Sequence, residues 1–171
     1  MVIWSIGLAG SGKSTISNII YEKFINNKLP TVLLDGDEIR RIFGDDLGYS
    51  LDDRLKNASR IRELCKLLDK NGIHVVCAIL SISEKDRNWC RKNFSSYKEI
   101  FVNTPIKLIE ERGYRDLYKK YDNGLIENVV GKDIKFDQPY NSDYVINNIK
   151  SKKIFIEEGT KIVNSLLVNL K

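Results

Sequence analysis

Apolar positions along the chain follow two rhythms. In "VIWSIG", "TVLLDG", "IHVVCAIL" and "EIFVNTP" almost every residue is apolar or β-branched, whereas between these runs the apolar residues recur every three or four positions, as with Ile16, Ile19, Ile20 and Phe24. Runs without alternation mark strands covered on both faces, and amphipathic helices between them provide the crossovers that parallel strands need. "DYVINN" reads as a fifth strand and "IFIEEGTKIVNSLLVNL" as a closing helix. The pattern predicts an α/β fold, a parallel five-stranded sheet flanked by helices. The stretch 112–141 breaks the rhythm, being polar, glycine-punctuated and only partly periodic, and is expected to be a lid or binding loop. No repeat or low-complexity linker divides the 171 residues, so 1–171 are expected to form a single domain.

Composition narrows the class. With 42% hydrophobic and 30% charged residues the chain has the balance of an ordinary soluble protein. Its apolar runs are too short to span a bilayer and "MVIWSIG" enters the first strand without a charged leader, so no membrane partner and a cytoplasmic location are expected. Cys65, Cys77 and Cys90 are odd in number and lack metal spacing, which predicts reduced thiols. His74, the single histidine, falls in a strand pattern and is expected to pack rather than catalyse. The excess of 28 basic over 23 acidic residues is dispersed, without an aromatic and basic stripe, and fits a phosphate-handling pocket better than nucleic acid.

"GLAGSGKST" follows the first strand and opens a helix. Gly7, Gly10 and Gly12 permit positive φ, and the amides of this loop, with Ser11 and Thr15 in it, can turn toward one anion at a helix N-terminus. Lys13 would neutralise the terminal phosphates of ATP, and the Ser14 hydroxyl would ligate Mg2+. In open parallel sheets the ligand lies beyond the carboxyl ends of the strands. There "DGDE" adds Asp35 and Asp37, one expected to hold Mg2+ and the other to take a proton from an acceptor hydroxyl, and "AILSIS" adds hydroxyls. In the next helix Leu51, Leu55, Ala58, Ile61, Cys65 and Leu68 form one stripe, with Arg54 inside it and Asn57 at its margin. An inward arginine at a helix start needs an anion or a polar cavity.

Together "GLAGSGKST", "LLDGDEIRRIF", "DLGYSLDDRLKNASRI", "VNTPIKLIEERGYRDLYKKY" and "GKDIKFDQP" resemble the adenylylsulfate kinase family, over residues 2 to 147. The resemblance implies a P-loop kinase fold with a lid, using MgATP to phosphorylate the ribose 3′-hydroxyl of a small nucleotide with a diphosphate-like tail. It assigns Asp37 the base role and Asp35 the magnesium side. Arg40, Arg54 and Asn57 match acceptor-binding positions, Tyr49 and Phe136 the aromatics that sandwich the acceptor base, and Lys119 with Lys120 the basic lid that begins at Arg112. The family's usual dimer makes a homodimer an expectation.

Departures cluster on the acceptor side: "DGDE" replaces "DGDN", "RIF" at Arg41 to Phe43 replaces His-Gly-Leu, Glu84 stands where the family has a basic residue, and the usual N-terminal extension is missing. A carboxylate at Glu84, if it faced the pocket, would repel a sulfate rim and accept an N–H from an amide-bearing tail. Because the acceptor shell has changed while the shared chemistry has stayed, the chain is expected to resemble the family's cytidine diphosphoramidate kinase relative of capsule-decorating pathways, with cytidine diphosphoramidate as acceptor and adenylylsulfate as the alternative. A polynucleotide kinase and a non-catalytic nucleotide-binding regulator are the rival classes.

Overall fold

The computed structural model describes residues 1–113, 116–168 and 170. Five parallel strands form one sheet in the order β2-β3-β1-β4-β5, with β1 at Val2–Ile6, β2 at Thr31–Asp35, β3 at His74–Ile79, β4 at Tyr97–Asn103 and β5 at Tyr144–Asn147. The predicted α/β architecture, a parallel five-stranded sheet flanked by helices, is the one observed. All five residues of β1 are buried, as an unalternating apolar run at the centre of a doubly covered sheet requires.

The two-residue period of β1 divides its side chains between two cores. Val2, Trp4 and Ile6 pack with Val75, Cys77 and Ile79 on one face, beside Ile61 and Cys65 of helix α3 (Leu51–Lys70). Ile3 points to the other face with Val76, Ile100 and Val102, against Ile16, Ile20 and Phe24 of α1 (Lys13–Asn26) and Phe155, Val163 and Leu166 of α7 (Lys152–Val168). Gly159 lets α7 approach α1 closely, since a Cβ there would lie 2.6 Å from Ile16 Cδ1. The cysteines are free and buried, as expected.

Between these lie α2 (Gly36–Ile42), α4 (Glu84–Asn93), α5 (Ile106–Glu111) and α6 (Leu117–Asp122). The expected lid, 112–141, includes Tyr114 and Arg115, which lie outside the described residues. The rest of it is not bare loop. Tyr118 is fully buried with Ile109 and Val129 in a third apolar cluster, and its hydroxyl donates to Ala9 O at 3.3 Å. Among the described residues no helix is long and apolar enough to cross a membrane.

Candidate active site

Register brings the chemistry to one edge. Asp35 pairs with Ala78, and Ile6 with both Ile79 and Phe101, so the carboxyl ends of β2, β3, β1 and β4 finish level with one another. The loop from Gly7 to Gly12 turns there from β1 into α1. Gly7 and Gly12 have φ of 150° and 108°, and a Cβ on Gly7 would lie 2.5 Å from Val102 O, so close approach of two main chains excludes any side chain. The Ser11 carbonyl accepts from Thr104 Oγ1 at 2.9 Å and Asn148 Nδ2 at 2.8 Å, which tie the loop to the ends of β4 and β5. Gly10, Gly12, Lys13, Ser14 and Thr15 line the large cavity, whereas Gly7 and Ser11 are buried beneath the loop and shape it. Lys13 Nζ donates to Leu8 O at 2.7 Å.

The carboxylates meet the loop directly. Asp35 caps α2, one oxygen accepting from the Asp37 amide at 2.9 Å and the other from Ser14 Oγ at 3.1 Å. A hydroxyl and a carboxylate side by side are hard oxygen donors of the kind Mg2+ takes, one or two from protein and the rest from water and phosphates. Among the described residues no group of three or more His, Cys, Asp or Glu could hold a metal unaided, so the donor set fits an ion shared with a nucleotide.

Opposite the loop stands a cationic wall. Arg40, buried on α2, donates to Gly48 O at 2.7 Å and Leu47 O at 3.3 Å. Arg54, in the first turn of α3, donates through Nε to Tyr49 O at 2.8 Å and through Nη2 to Asn128 O at 2.7 Å. Both guanidiniums lie over the exposed Tyr49 ring, 5.0 and 5.4 Å from its centroid. Burial, and then repulsion from Arg40, lower the pKa of Arg54 from its ordinary value, so an anion between the two would relieve both. Asn57 Nδ2 reaches Gly36 O at 3.2 Å, joining α3 to the "DGD" turn.

The cavity these walls enclose measures about 1230 Å³, more than one drug-sized ligand needs and sufficient for two nucleotides. It gathers Lys13, Ser14, Asp35, Asp37, Arg40, Tyr49, Arg54, Asn57, Arg112 and Lys120, all expected from sequence.

The aromatic sandwich is corrected, and two further positions are located. Phe136 does not face Tyr49. It packs toward the core with its ring 6.1 Å from that of Phe101 and lines a separate, smaller cavity, while Val129 and Val130 line the large one. Between them the chain forms a local loop, with Gly131 N bonded to Ile134 O at 2.7 Å and an isolated parallel bridge between Val130 and Ile134. Lys119 is exposed outside the cavity because neighbouring positions on α6 point about 100° apart, which leaves Lys120 inside. Glu84 is exposed too, accepting from Tyr140 OH at 2.6 Å, and is not part of the cavity lining.

Sequence reasoning missed Asn128, Asn148, Lys150 and Phe155, which line the cavity from distant segments. It also missed Arg87, buried on α4, which donates to Ser81 O at 2.6 Å and fixes the loop after β3, where Ser81 has φ of 49°. Ser81 and Ser83, within the "AILSIS" run, do line the cavity.

Comparison with known proteins agrees with this geometry. Residues 1–147 match the family model described as Adenylylsulphate kinase. A probable adenylyl-sulfate kinase of Bacillus subtilis is 35% identical over 170 residues, covering 98% of this chain and 84% of the relative. The adenylyl-sulfate kinase of Pseudomonas aeruginosa is 37% identical over 150 residues, covering 86% of this chain and 76% of its own. Among solved structures, the APS kinase of Mycobacterium tuberculosis in complex with AMPPNP and APS superposes with a TM-score of 0.87 at 29% identity, covering 96% of both chains. A gluconokinase from Sinorhizobium meliloti, at 16% identity and a TM-score of 0.67 over 99% of this chain and 94% of its own, shares the fold alone.

Proposed function

The chain belongs to the adenylylsulfate kinase family and is an ATP-dependent kinase that phosphorylates a hydroxyl group, and from that premise we propose that its acceptor is the ribose 3′-hydroxyl of adenylylsulfate. ATP is the donor and Mg2+ the cofactor. The observation that carries the reading is a single cavity in which the phosphate loop and the Asp35 and Asp37 turn face the paired guanidiniums of Arg40 and Arg54.

Each side chain has a task in this proposal. Lys13 neutralises the terminal phosphates while the amides of the loop hold them. Ser14 and Asp35 would hold Mg2+, which when bound would offset the charge developing on the phosphate oxygens. Asp37 accepts the proton of the 3′-hydroxyl as its oxygen attacks the γ-phosphorus of ATP in line and the bond to the β,γ-bridging oxygen breaks to release ADP, so no free alkoxide is needed. Arg40 and Arg54 take the anionic tail of the acceptor, Tyr49 stacks on its base, and Asn57 holds the turn that carries Asp37. Arg112 and Lys120 border the cavity from the lid side and counter the charge of two bound polyanions.

Adenylylsulfate replaces cytidine diphosphoramidate as the preferred acceptor for two reasons. The selectivity expected for an amide-bearing tail drew on a Glu84 carboxylate in the pocket, and Glu84 is outside it. The relatives from Bacillus and Pseudomonas carry the adenylyl-sulfate kinase name. A polynucleotide acceptor is set aside because Arg40, Arg54, Lys120 and Lys150 converge on one cavity instead of tracking a groove. A cytoplasmic location and a homodimer belong to the same proposal, the latter tested by sedimentation at two protein concentrations. For the acceptor, purified protein is assayed with MgATP against both nucleotides. The expected result is a higher kcat/KM for adenylylsulfate, with the product phosphorylated at the 3′ position. Preference for cytidine diphosphoramidate would overturn the acceptor and leave the kinase standing.

A further inference from the structure

We propose that Asp133 is a positioning residue for Arg54, acting through the main chain of Asn128 and Val129, and that it thereby sets affinity for the acceptor; this rests on the reading of Arg54 as an acceptor-binding group. Asp133 is exposed and is not part of the large cavity's lining. Yet its two oxygens each take one amide of the segment that closes the cavity, Oδ2 from Asn128 N at 2.7 Å and Oδ1 from Val129 N at 2.6 Å. Asn128 sits at φ of 63°, a left-handed conformation that residues with a side chain adopt only at some cost, smaller for asparagine than for most. The carboxylate offsets that cost with two charge-assisted hydrogen bonds. Burial alone would raise the Asp133 carboxyl, but amide N–H groups, those of Asn128 and Val129 foremost, outweigh it and hold the carboxyl below the usual carboxylate range.

The held conformation aims the Asn128 carbonyl at Arg54 Nη2, 2.7 Å away. Arg54 Nε is fixed separately on Tyr49 O. The guanidinium is thus strung between two neutral carbonyls on two walls of the cavity, which orient its charge, while the Asp37 and Asp133 carboxylates act on it only through space. With the carboxylate gone, two amides lose their partner, Asn128 relaxes toward negative φ, and the Arg54 fork loses one of its two anchors. ATP, bound at the phosphate loop, has no part in this chain of contacts.

Steady-state kinetics on Asp133→Ala tests the inference. The acceptor KM should rise roughly tenfold to a hundredfold, the range of one charged hydrogen bond, with kcat and the ATP KM within about twofold of wild type. Asp133→Asn, which keeps one carbonyl oxygen, should fall between. Adding Asn128→Gly to Asp133→Ala should recover much of the loss, since glycine holds positive φ without a clamp. In an Arg54→Ala background Asp133→Ala should add little. Additive losses in that background, or equal rises in both KM values, would overturn the proposal. Hydrogen exchange at the Asn128 and Val129 amides needs no acceptor: protection lost in Asp133→Ala supports the clamp, and protection retained overturns it. If wild type does not phosphorylate adenylylsulfate, the proposed acceptor fails while the exchange result still decides the clamp.

Discussion

Replacing Gly12 by alanine puts the coupling between the phosphate loop and the last helix to a quantitative test. Gly12 caps α1 at φ of 108°, and a Cβ there would lie 2.7 Å from Phe155 Cζ and 3.0 Å from Asn148 Nδ2. The backbone conformation costs an L-residue about 1–2 kcal/mol. Forcing a methyl against Phe155, which α7 buries almost fully in the core, adds about 1–3 kcal/mol of overpacking. The sum, about 2–5 kcal/mol, is a large share of the total stability of about 5–15 kcal/mol expected for a domain, so Gly12→Ala should fold with a much lower urea midpoint. It should also raise the KM for ATP, because Asn148 shifts from the Ser11 carbonyl that sets the loop. A double-mutant cycle with Phe155→Leu separates the terms. Trimming the ring relieves the clash but not the φ cost, so the paired variant should be more stable than the two separate losses add up to, by more than the usual error of about 0.5 kcal/mol. Wild-type stability in Gly12→Ala, or strict additivity, would refute this account of the loop.

Lys13→Ala should abolish turnover while the fold survives, since losing charge stabilisation of a transferring phosphoryl costs about 3 kcal/mol or more; near-normal kcat at saturating MgATP would count against the assignment. Asp37→Asn keeps the shape and should lower kcat by roughly two to four decades, whereas a change confined to KM would make Asp37 a binding group. Tyr49→Ala should weaken the acceptor by about 1–3 kcal/mol without touching ATP, while Phe136→Ala should cost thermal stability and leave the acceptor KM alone; the reverse pattern would restore Phe136 to the site. Burial would raise Asp143, but Lys98, the Glu99 amide and Arg91 outweigh it and lower its pKa. Its contribution is therefore complete above about pH 4 and lost as pH falls through the depressed folded value, so Asp143→Asn should flatten the acid limb of urea midpoints, and parallel limbs would contradict it.

What could be read from the sequence was what local spacing decides. The phosphate loop closes on itself within a few residues, with Ser11 N bonded to Leu8 O at 3.1 Å, so a contiguous motif carries it. Arg54 and Asn57 were legible because a helix fixes the angle between positions, and α3 buries Asn57, Ile61 and Cys65 on the face that the stripe marks. Phe136 was not, because residues 123–143 carry no helix or strand period to say which side chains face inward, and the loop held by Asp133 turns Val129 and Val130 to the large cavity and Phe136 toward the core. Lys119 and Lys120 differ only by helix phase, which a six-residue helix in a polar stretch does not reveal. Asn148 and Phe155 were out of reach for another reason: their partner is the main chain of Ser11 and Gly12, and a main-chain contact leaves no complementary side chain to find.

The bond from Asn148 to Ser11 spans 137 residues, and that from Thr104 spans 93. A ribosome releases the phosphate loop well before the donors that shape it, which emerge only when β4 and then β5 are complete. Nucleotide capture consequently waits for β5, and a stalled product ending before Asn148 should be unable to use ATP as a folding ligand.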